Sequence, residues 1–242
     1  MAAASFRIEP GEIFGVVGFS GTGKSALLRL IDWPDGRGDQ VRLSRKDIGR
    51  ATDGELRVAR RSIALVSQPL NLLHERSVLA NVSAPLDIAG TSAPCARVRA
   101  TACLDWVGLA DKAKAYPAQL SAGERRLLAV ARALATDPDA LLCDDPSAAL
   151  DSRSANRVLS ILQALNRDLG LTILIATQSL EVVREICHAV AVMDGVVVAE
   201  RIRLGDLYAA PRTRLGRLLF PTPDRARVRR CAHLCLIRDN SW

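Results

Sequence analysis

Residues 18–25 read GFSGTGKS, and this stretch decides the fold. It fits the pattern G-x-x-x-x-G-K-[ST] of a phosphate-binding P-loop. The apolar run Ile13–Val17 precedes it as a predicted strand, and residues 25–31 follow it with helix formers. In such a loop the glycines let backbone N–H groups turn toward a polyphosphate, and the helix dipole adds to the attraction. The pattern therefore favours a nucleotide-binding enzyme over an ordinary glycine-rich turn.

Two residues of the loop carry specific chemistry. Lys24 is expected to reach the β- and γ-phosphates, and Ser25 is expected to offer its hydroxyl to Mg²⁺. The expected nucleotide-binding residues are all of the loop: Gly18, Phe19, Ser20, Gly21, Thr22, Gly23, Lys24 and Ser25.

The composition places limits on the partners and the compartment. The chain has 242 residues, enough for a large α/β domain, and its excess of basic residues lies after residue 200. A solvated tail is the simpler interpretation of that excess, and contact with nucleic acid or an anionic membrane is the alternative. The six cysteines form no C-x-x-C pair, which favours isolated thiols in a reducing compartment. Neither a signal peptide nor a membrane span is predicted, so the chain is expected in the cytoplasm unless a partner holds it at a membrane.

Apolar and helical patterns alternate along the chain, which predicts a mainly parallel sheet with flanking helices. Helices are predicted at residues 98–107, at residues 121–135 with Ser121 as N-cap, and at residues 152–169 with Ser152 as N-cap. Residues 72–134 are strand-poor and are predicted to form a helical subdomain inserted in a single domain over residues 1–220. A disordered basic tail is predicted over residues 221–242. Strands are predicted at residues 13–17, 63–66, 140–143, 172–176, 190–193 and 196–199.

Two further segments carry chemistry. LLCDD, residues 141–145, is an apolar strand that ends in two carboxylates, as in the Mg²⁺-organising element of an NTPase. Asp144 is expected to hold Mg²⁺, and Asp145 to orient the attacking water. LSAGE, residues 120–124, opens a helix whose free N–H groups can bind an anion. Taken alone, each segment is also compatible with a polar turn or an ordinary capped helix.

The order of these motifs resembles the ATP-binding subunits of ABC transporters. The series is GFSGTGKS, Gln68 within LVSQ, LSAGE, and LLCDDPSAALD. Longer segments of the sequence further resemble the ATPase subunits of bacterial methionine importers; they are EPGEIFGVVG, YPAQLSAGE, ARALATDP and LNRDLGLTILIAT. The resemblance covers about residues 5–215, and importers of other polar amino acids share much of it.

The resemblance implies roles for individual residues. Gln68 would link Mg²⁺ to the helical subdomain, and Ser121 and Gly123 would contact the γ-phosphate of ATP held by the opposite protomer. Asp151 would signal across that interface; the alternative is a turn residue before the helix cap Ser152. ATP and Mg²⁺ are the implied cofactors. The implied partners are a second copy of the chain, a membrane permease and, indirectly, a substrate-binding protein, with no nucleic acid. The implied location is the cytoplasmic face of the cell membrane.

Several positions depart from the family pattern. Asp145 stands where the family has a catalytic glutamate, and Gln178 stands where it has a histidine, so the expected catalytic set is Asp145, Gln178 and Gln68. Ala122 and Glu124 replace a glycine and a glutamine. The family's first strand, with its adenine-stacking aromatic residue, would precede Met1, and its ligand-sensing domain would begin about where this chain ends.

Three functions therefore remain open at the level of the sequence. The favoured one is an ATPase subunit that drives import of methionine or a similar amino acid. The second is a hydrolysis-impaired nucleotide-binding paralogue that no longer drives transport. The third, ranked lowest, is an ABC protein that acts on nucleic acid through the basic tail.

Overall fold

The structure is a computed structural model that describes residues 6–32, 42–43, 46–47, 61–195, 197–205 and 211–219. The strands are β1 (Ile13–Val17), β2 (Arg42–Leu43), β3 (Lys46–Asp47), β4 (Ile63–Val66), β5 (Ala140–Asp144), β6 (Thr172–Thr177), β7 (Ala189–Asp194) and β8 (Val197–Arg203). The α-helices are α1 (Lys24–Asp32), α2 (Val78–Ile88), α3 (Ala93–Trp106), α4 (Ala122–Leu134), α5 (Ser152–Leu169), α6 (Leu180–Ile186) and α7 (Arg214–Leu219). Two short 3₁₀ helices, Ala110–Lys112 and Pro117–Gln119, lie between α3 and α4.

Six of the described strands form one sheet in the order β4-β5-β6-β1-β7-β8. The first five in this order run parallel, and β8 pairs antiparallel with β7. Strand β1 lies in the interior of the sheet, between β6 and β7. The prediction of a mainly parallel α/β sheet is confirmed, and the carboxyl ends of the five parallel strands lie at one edge.

Both faces of the sheet are covered at the central strand β1, all of whose residues are buried. Successive side chains of a strand point to opposite faces. In β1, Ile13 and Val17 join the larger core cluster, which includes residues of α2 to α6. Phe14 and Val16 join a second cluster on the other face, together with Leu28 of α1. The β1 run is therefore apolar at every position rather than alternating.

The predicted strands occur at the predicted places, with ends that differ by a few residues, although Val196, the predicted start of the last one, lies outside the described residues. Ser121 is the N-cap of α4, as predicted, since its hydroxyl oxygen accepts a hydrogen bond from the Glu124 N–H. The prediction of Ser152 as N-cap is wrong: the cap of α5 is Asp151, whose carboxylate accepts from the Ser154 N–H at 3.0 Å. Asp151 holds the extended backbone that a cap requires, and Ser152 is already helical.

Helix α3 begins five residues before the predicted start at residue 98, with Pro94 in its first turn. A proline is favourable there because the first N–H groups of a helix have no intrahelical partner. No strand lies between Val66 and Ala140, a stretch that is described throughout. The subdomain boundary at residues 72–134 stays a prediction, and the tail at residues 221–242 lies outside the described residues.

Candidate functional site

The GFSGTGKS loop connects the carboxyl end of β1 to α1, at the sheet edge where the five parallel strands end. Gly21 and Gly23 have φ angles of 80° and 82°, a region that glycine enters without steric cost. The first N–H groups of α1 lack intrahelical acceptors and lie beside this loop. The loop therefore presents unpaired donors and the positive end of a helix dipole, which is the arrangement that binds phosphate.

Lys24 lies inside the loop and is 9% exposed. Its Nζ donates hydrogen bonds to the carbonyl oxygens of Gly18, at 2.9 Å, and Phe19, at 2.8 Å. Burial lowers the pKa of the Lys24 ammonium, and the nearby Asp145 and Asp144 carboxylates oppose this effect. Since its partners in the loop are uncharged oxygen atoms, the positive charge of Lys24 is available to a polyphosphate.

A group of oxygen atoms beside the loop fits the ligand preference of Mg²⁺. The Ser25 hydroxyl donates to Asp144 Oδ1 at 3.0 Å, across 119 residues of sequence. Gln68 lies at the same edge, where its Nε2 donates to the backbone oxygen of Asp145 at 3.3 Å. Hydroxyl, carboxylate and amide oxygens are thus brought together. Within the described ranges no cluster of three or more His, Cys, Asp and Glu residues forms another metal site.

Asp145 is held against the end of β6. Its Oδ1 accepts a hydrogen bond from the Thr177 hydroxyl at 3.0 Å, and its backbone N–H donates to Ala176 at 2.7 Å. Thr177 is fully buried, and its hydroxyl oxygen also accepts from the Ser179 N–H at 3.0 Å. The Asp145 carboxylate is therefore tied to the sheet on its Thr177 side, and Gln178 is the next residue along that strand end.

Residues of the loop, of α1 and of the neighbouring strand ends line one open pocket of about 420 Å³, a size typical of ligand sites. We call it the P-loop pocket. Arg29 lies one helical turn after Ser25 and adds a positive charge to the pocket. It is not part of the P-loop motif, but its spacing of four residues from Ser25 places both side chains on the same face of α1. The lining residues are Ser20, Gly21, Gly23, Lys24, Ser25, Ala26, Arg29, Gln68, Asp144, Asp145, Ala176 and Gln178.

Gly18, Phe19 and Thr22 belong to the loop but do not line this pocket. The remaining predicted residues, Ser121, Gly123 and Asp151, do not line it either. They lie together where α4 and α5 begin. A Cβ on Gly123 would lie 2.9 Å from the Ser154 Cβ, so only glycine permits this approach of the two helices. Both Asp151 carboxylate oxygens accept from Ser154, and its hydroxyl is the main cause of the lowered Asp151 pKa. We call Ser121, Gly123, Glu124, Asp151 and Ser154 the helix-start cluster.

Two other sequence expectations concern thiols and membranes. The described cysteines Cys95, Cys103, Cys143 and Cys187 are free, and burial raises the pKa of the Cys143 thiol to about 12. At that pKa the thiol stays protonated and unreactive at neutral pH. Among the described helices, none is both long and apolar enough to cross a membrane.

Comparison with known proteins points to one family. The sequence model of the family described as "ABC transporter" matches residues 1–148. The chain is 45% identical to the methionine import ATP-binding protein MetN of Thermobifida fusca over 226 residues, which is 92% of this chain and 70% of that protein. It is 42% identical to methionine import ATP-binding protein MetN 3 of Oceanobacillus iheyensis over 208 residues, which is 86% of this chain. The chain spans 61% of the length of that second relative.

Solved structures show the same fold. The dimeric, post-hydrolysis structure of the ATP-binding cassette MJ0796 bound to ADP and Pi superposes with a TM-score of 0.74 at 31% identity, covering 83% of this chain and 89% of that chain. The cbiO1 protein of Clostridium perfringens, described as part of the ABC transporter complex cbiONQ, gives a TM-score of 0.76 at 25% identity. That match covers 96% of this chain and 90% of cbiO1.

Proposed function

Because this chain belongs to the ABC transporter family, we propose that it is the ATP-binding subunit of an importer for methionine or another amino acid. The observation that carries the proposal is the hydrogen bond of 3.0 Å from Ser25 to Asp144, which joins the P-loop to the carboxylate end of β5. Through it, a phosphate-binding loop and a metal-binding carboxylate face the same pocket.

The proposed ATP site uses the loop from Gly18 to Ser25 for the phosphates. Lys24 would neutralise charge on the β- and γ-phosphates, and Ser25, Asp144 and Gln68 would hold Mg²⁺. When bound, Mg²⁺ would neutralise charge that develops on the transferred phosphoryl group. Arg29 would add positive charge at the rim of the pocket. The side chain of Phe19 is 57% exposed, and its carbonyl oxygen accepts a hydrogen bond from Lys24 and so helps to position the ammonium.

Hydrolysis requires a group that orients water in line with the γ-phosphate. Asp145 is the candidate because it lines the pocket and Thr177 restricts its rotation. Gln178 can donate a hydrogen bond to the γ-phosphate but cannot carry a positive charge. Replacing glutamate by aspartate withdraws the carboxylate by about 1.5 Å, and a misplacement of ~1 Å can cost on the order of 100-fold in rate.

The helix-start cluster would complete the ATP site of a second copy of the chain. Its exposed Ser121 hydroxyl and the first N–H groups of α4 can donate to a phosphate that is held elsewhere. In this proposal ATP closes a head-to-tail homodimer, and the helices between β4 and β5 transmit closure to a membrane permease, supplied by a substrate-binding protein. The chain would then lie on the cytoplasmic face of the membrane, with no nucleic-acid partner.

Two residues of the site favour an alternative function, nucleotide binding with impaired hydrolysis. Asp145 is shorter than glutamate and is tied to Thr177, and Gln178 is uncharged, so a nucleotide-binding protein with impaired hydrolysis would have the same site. This alternative predicts ATP binding without useful turnover.

Phosphate release and nucleotide binding, measured on the same preparation, test the proposal. The wild-type chain should bind MgATP and release phosphate. Lys24→Ala should abolish phosphate release and strongly weaken binding, and Lys114→Ala, at an exposed lysine outside the pocket, should match the wild type. If the wild-type chain binds MgATP but releases phosphate no faster than Lys24→Ala does, the impaired alternative is supported. A wild-type chain that fails to bind ATP would overturn both. Methionine uptake by vesicles that contain the chain with its permease tests the transported solute.

A further inference from the structure

Glu124 in the first turn of α4 is fully engaged within its own chain. Its Oε2 accepts a hydrogen bond from the Ser121 N–H at 2.8 Å, while the Ser121 hydroxyl oxygen accepts from the Glu124 N–H at 3.2 Å. This reciprocal capping box fixes both residues at the helix start. The other oxygen, Oε1, is paired with the ammonium of Lys112. The Glu124 side chain is only 17% exposed in this arrangement.

Lys112 lies in a separate segment, whose backbone is hydrogen-bonded to α2 rather than to α4. It ends the 3₁₀ helix Ala110–Lys112, and the backbone that follows accepts two hydrogen bonds from the start of α2. These run from the Leu79 N–H to Ala113 at 2.9 Å and from the Val78 N–H to Ala115 at 2.8 Å. These two hydrogen bonds fix the backbone next to Lys112, and so they position its ammonium beside Glu124.

The pair matters because a carboxylate beside a helix N-terminus opposes anion binding there. A carboxylate charge close to a phosphate charge repels it, and the repulsion is stronger where the protein lowers the effective dielectric constant below that of water. The Lys112 hydrogen bond, followed by the Ser121 N–H, lowers the pKa of Glu124 to about 2, so the carboxylate is charged at neutral pH. Because the Glu124 carboxylate is not protonated near neutral pH, its repulsion of a phosphate is reduced only by a neighbouring cation such as the Lys112 ammonium.

We propose that Lys112 is a positioning residue for the second half of the ATP site: it neutralises Glu124 and keeps the Ser121 hydroxyl and the first N–H groups of α4 able to receive the partner's phosphate. This inference rests on the proposed function, because it concerns the same shared site. It assigns a role to a residue outside every motif of the sequence. It also accounts for an acidic residue at a helix start that is expected to meet a polyanion.

A double-mutant cycle tests the proposal. The variants are Lys112→Ala, Lys112→Arg, Glu124→Gln and the Lys112→Ala/Glu124→Gln pair, with Lys114→Ala as the matched lysine control. Sedimentation with a slowly hydrolysed ATP analogue and Mg²⁺ measures dimerisation, and titration with a fluorescent ATP analogue at low protein concentration measures binding by the single chain. Circular dichroism spectra check that each variant is folded.

Lys112→Ala should weaken nucleotide-dependent dimerisation by on the order of 10-fold and leave single-chain binding unchanged, because the repulsion acts only at the shared site. Lys112→Arg should retain dimerisation. The double variant should recover it, because glutamine keeps an acceptor for the Ser121 N–H and carries no charge.

Four outcomes would overturn the inference. Equal dimerisation of Lys112→Ala and the wild type would reject it while the proposed function stands. A double variant as weak as Lys112→Ala would show that the lysine acts through packing rather than through the charge of Glu124. A wild-type chain that binds the analogue but stays monomeric would reject both this inference and the shared site, whereas failure to bind any nucleotide would reject the proposed function itself.

Discussion

The P-loop pocket and the helix-start cluster both present helix N-termini, but they differ in how their charges are used. In the pocket, the Lys24 ammonium is held by uncharged oxygen atoms, so its charge is available to a ligand. In the cluster, the Glu124 and Asp151 carboxylates accept hydrogen bonds on both of their oxygens. The cluster thus offers only uncharged donors. We infer that the pocket can bind a nucleotide alone, whereas the cluster can only strengthen binding that the pocket has begun.

The largest expected effect comes from removing the charge of the pocket. Lys24→Ala deletes a buried ammonium and its charge-assisted bonds to phosphate, which should weaken ATP binding by roughly 100- to 1,000-fold. Isothermal titration with MgATP at a protein concentration that keeps the chain monomeric measures this loss. If a helix-start substitution such as Ser121→Ala caused an equal loss in the monomer, the inferred division of labour would be wrong.

The next effect concerns turnover rather than binding. Asp145→Glu combined with Gln178→His should raise the rate of phosphate release by roughly 10- to 100-fold, because the carboxylate advances toward the water and the histidine adds a donor that can carry charge. Binding of MgATP should stay within a factor of about 3, because neither residue belongs to the loop that holds the phosphates.

Single substitutions serve as controls for this pair. Asp145→Asn should lower the rate still further without loss of binding. An unchanged rate in the double variant would show that these two departures from the family pattern do not limit turnover.

Short-range patterns predicted most of the fold. The strand, loop and helix around Lys24 follow from a contiguous stretch, and the apolar runs of β1, β4 and β5 mark buried strands. The error at Ser152 shows where such reasoning ends. Asp151 and Ser152 are both good capping residues, and only the backbone conformation decides between them.

The partners of the site residues could not be predicted in the same way. The bond from Thr177 to Asp145 spans 32 residues, and the Lys112–Glu124 pair spans 12 residues across two different elements. Neither spacing corresponds to a helical or strand period, so only the packing of the chain brings these groups together. The site residues themselves lie in motifs, because their chemistry demands particular neighbours along the backbone.

A smaller effect is expected from adding a methyl group to the cluster. Gly123→Ala places a Cβ 2.9 Å from the Ser154 Cβ, which should separate α4 from α5 and lower the free energy of unfolding by about 1–3 kcal/mol. Dimerisation with a slowly hydrolysed ATP analogue should weaken, while single-chain ATP binding should not change. Urea unfolding and sedimentation measure the two effects. Adding Ser154→Gly removes the clashing atom and should restore dimerisation in part; no recovery would argue against the steric explanation.

The smallest effect is a pH dependence within the cluster. The folded chain holds the pKa of Glu124 at about 2, below its ordinary value of 4.5, so the unfolded chain takes up the proton first as the pH falls. The stabilisation by the charged carboxylate is therefore complete above pH 4.5 and is lost as the pH falls to about 2.

Urea unfolding of the wild type and Glu124→Gln across this window measures the effect. The wild type should be more stable by about 1 kcal/mol at neutral pH, and the difference should vanish at the acid end. Lys112→Ala should move the loss toward pH 4.5, because the lysine is the largest cause of the low pKa. A difference that stays constant with pH would mean that the folded chain does not lower the pKa of Glu124, and that the pairing with Lys112 does not stabilise the charged carboxylate.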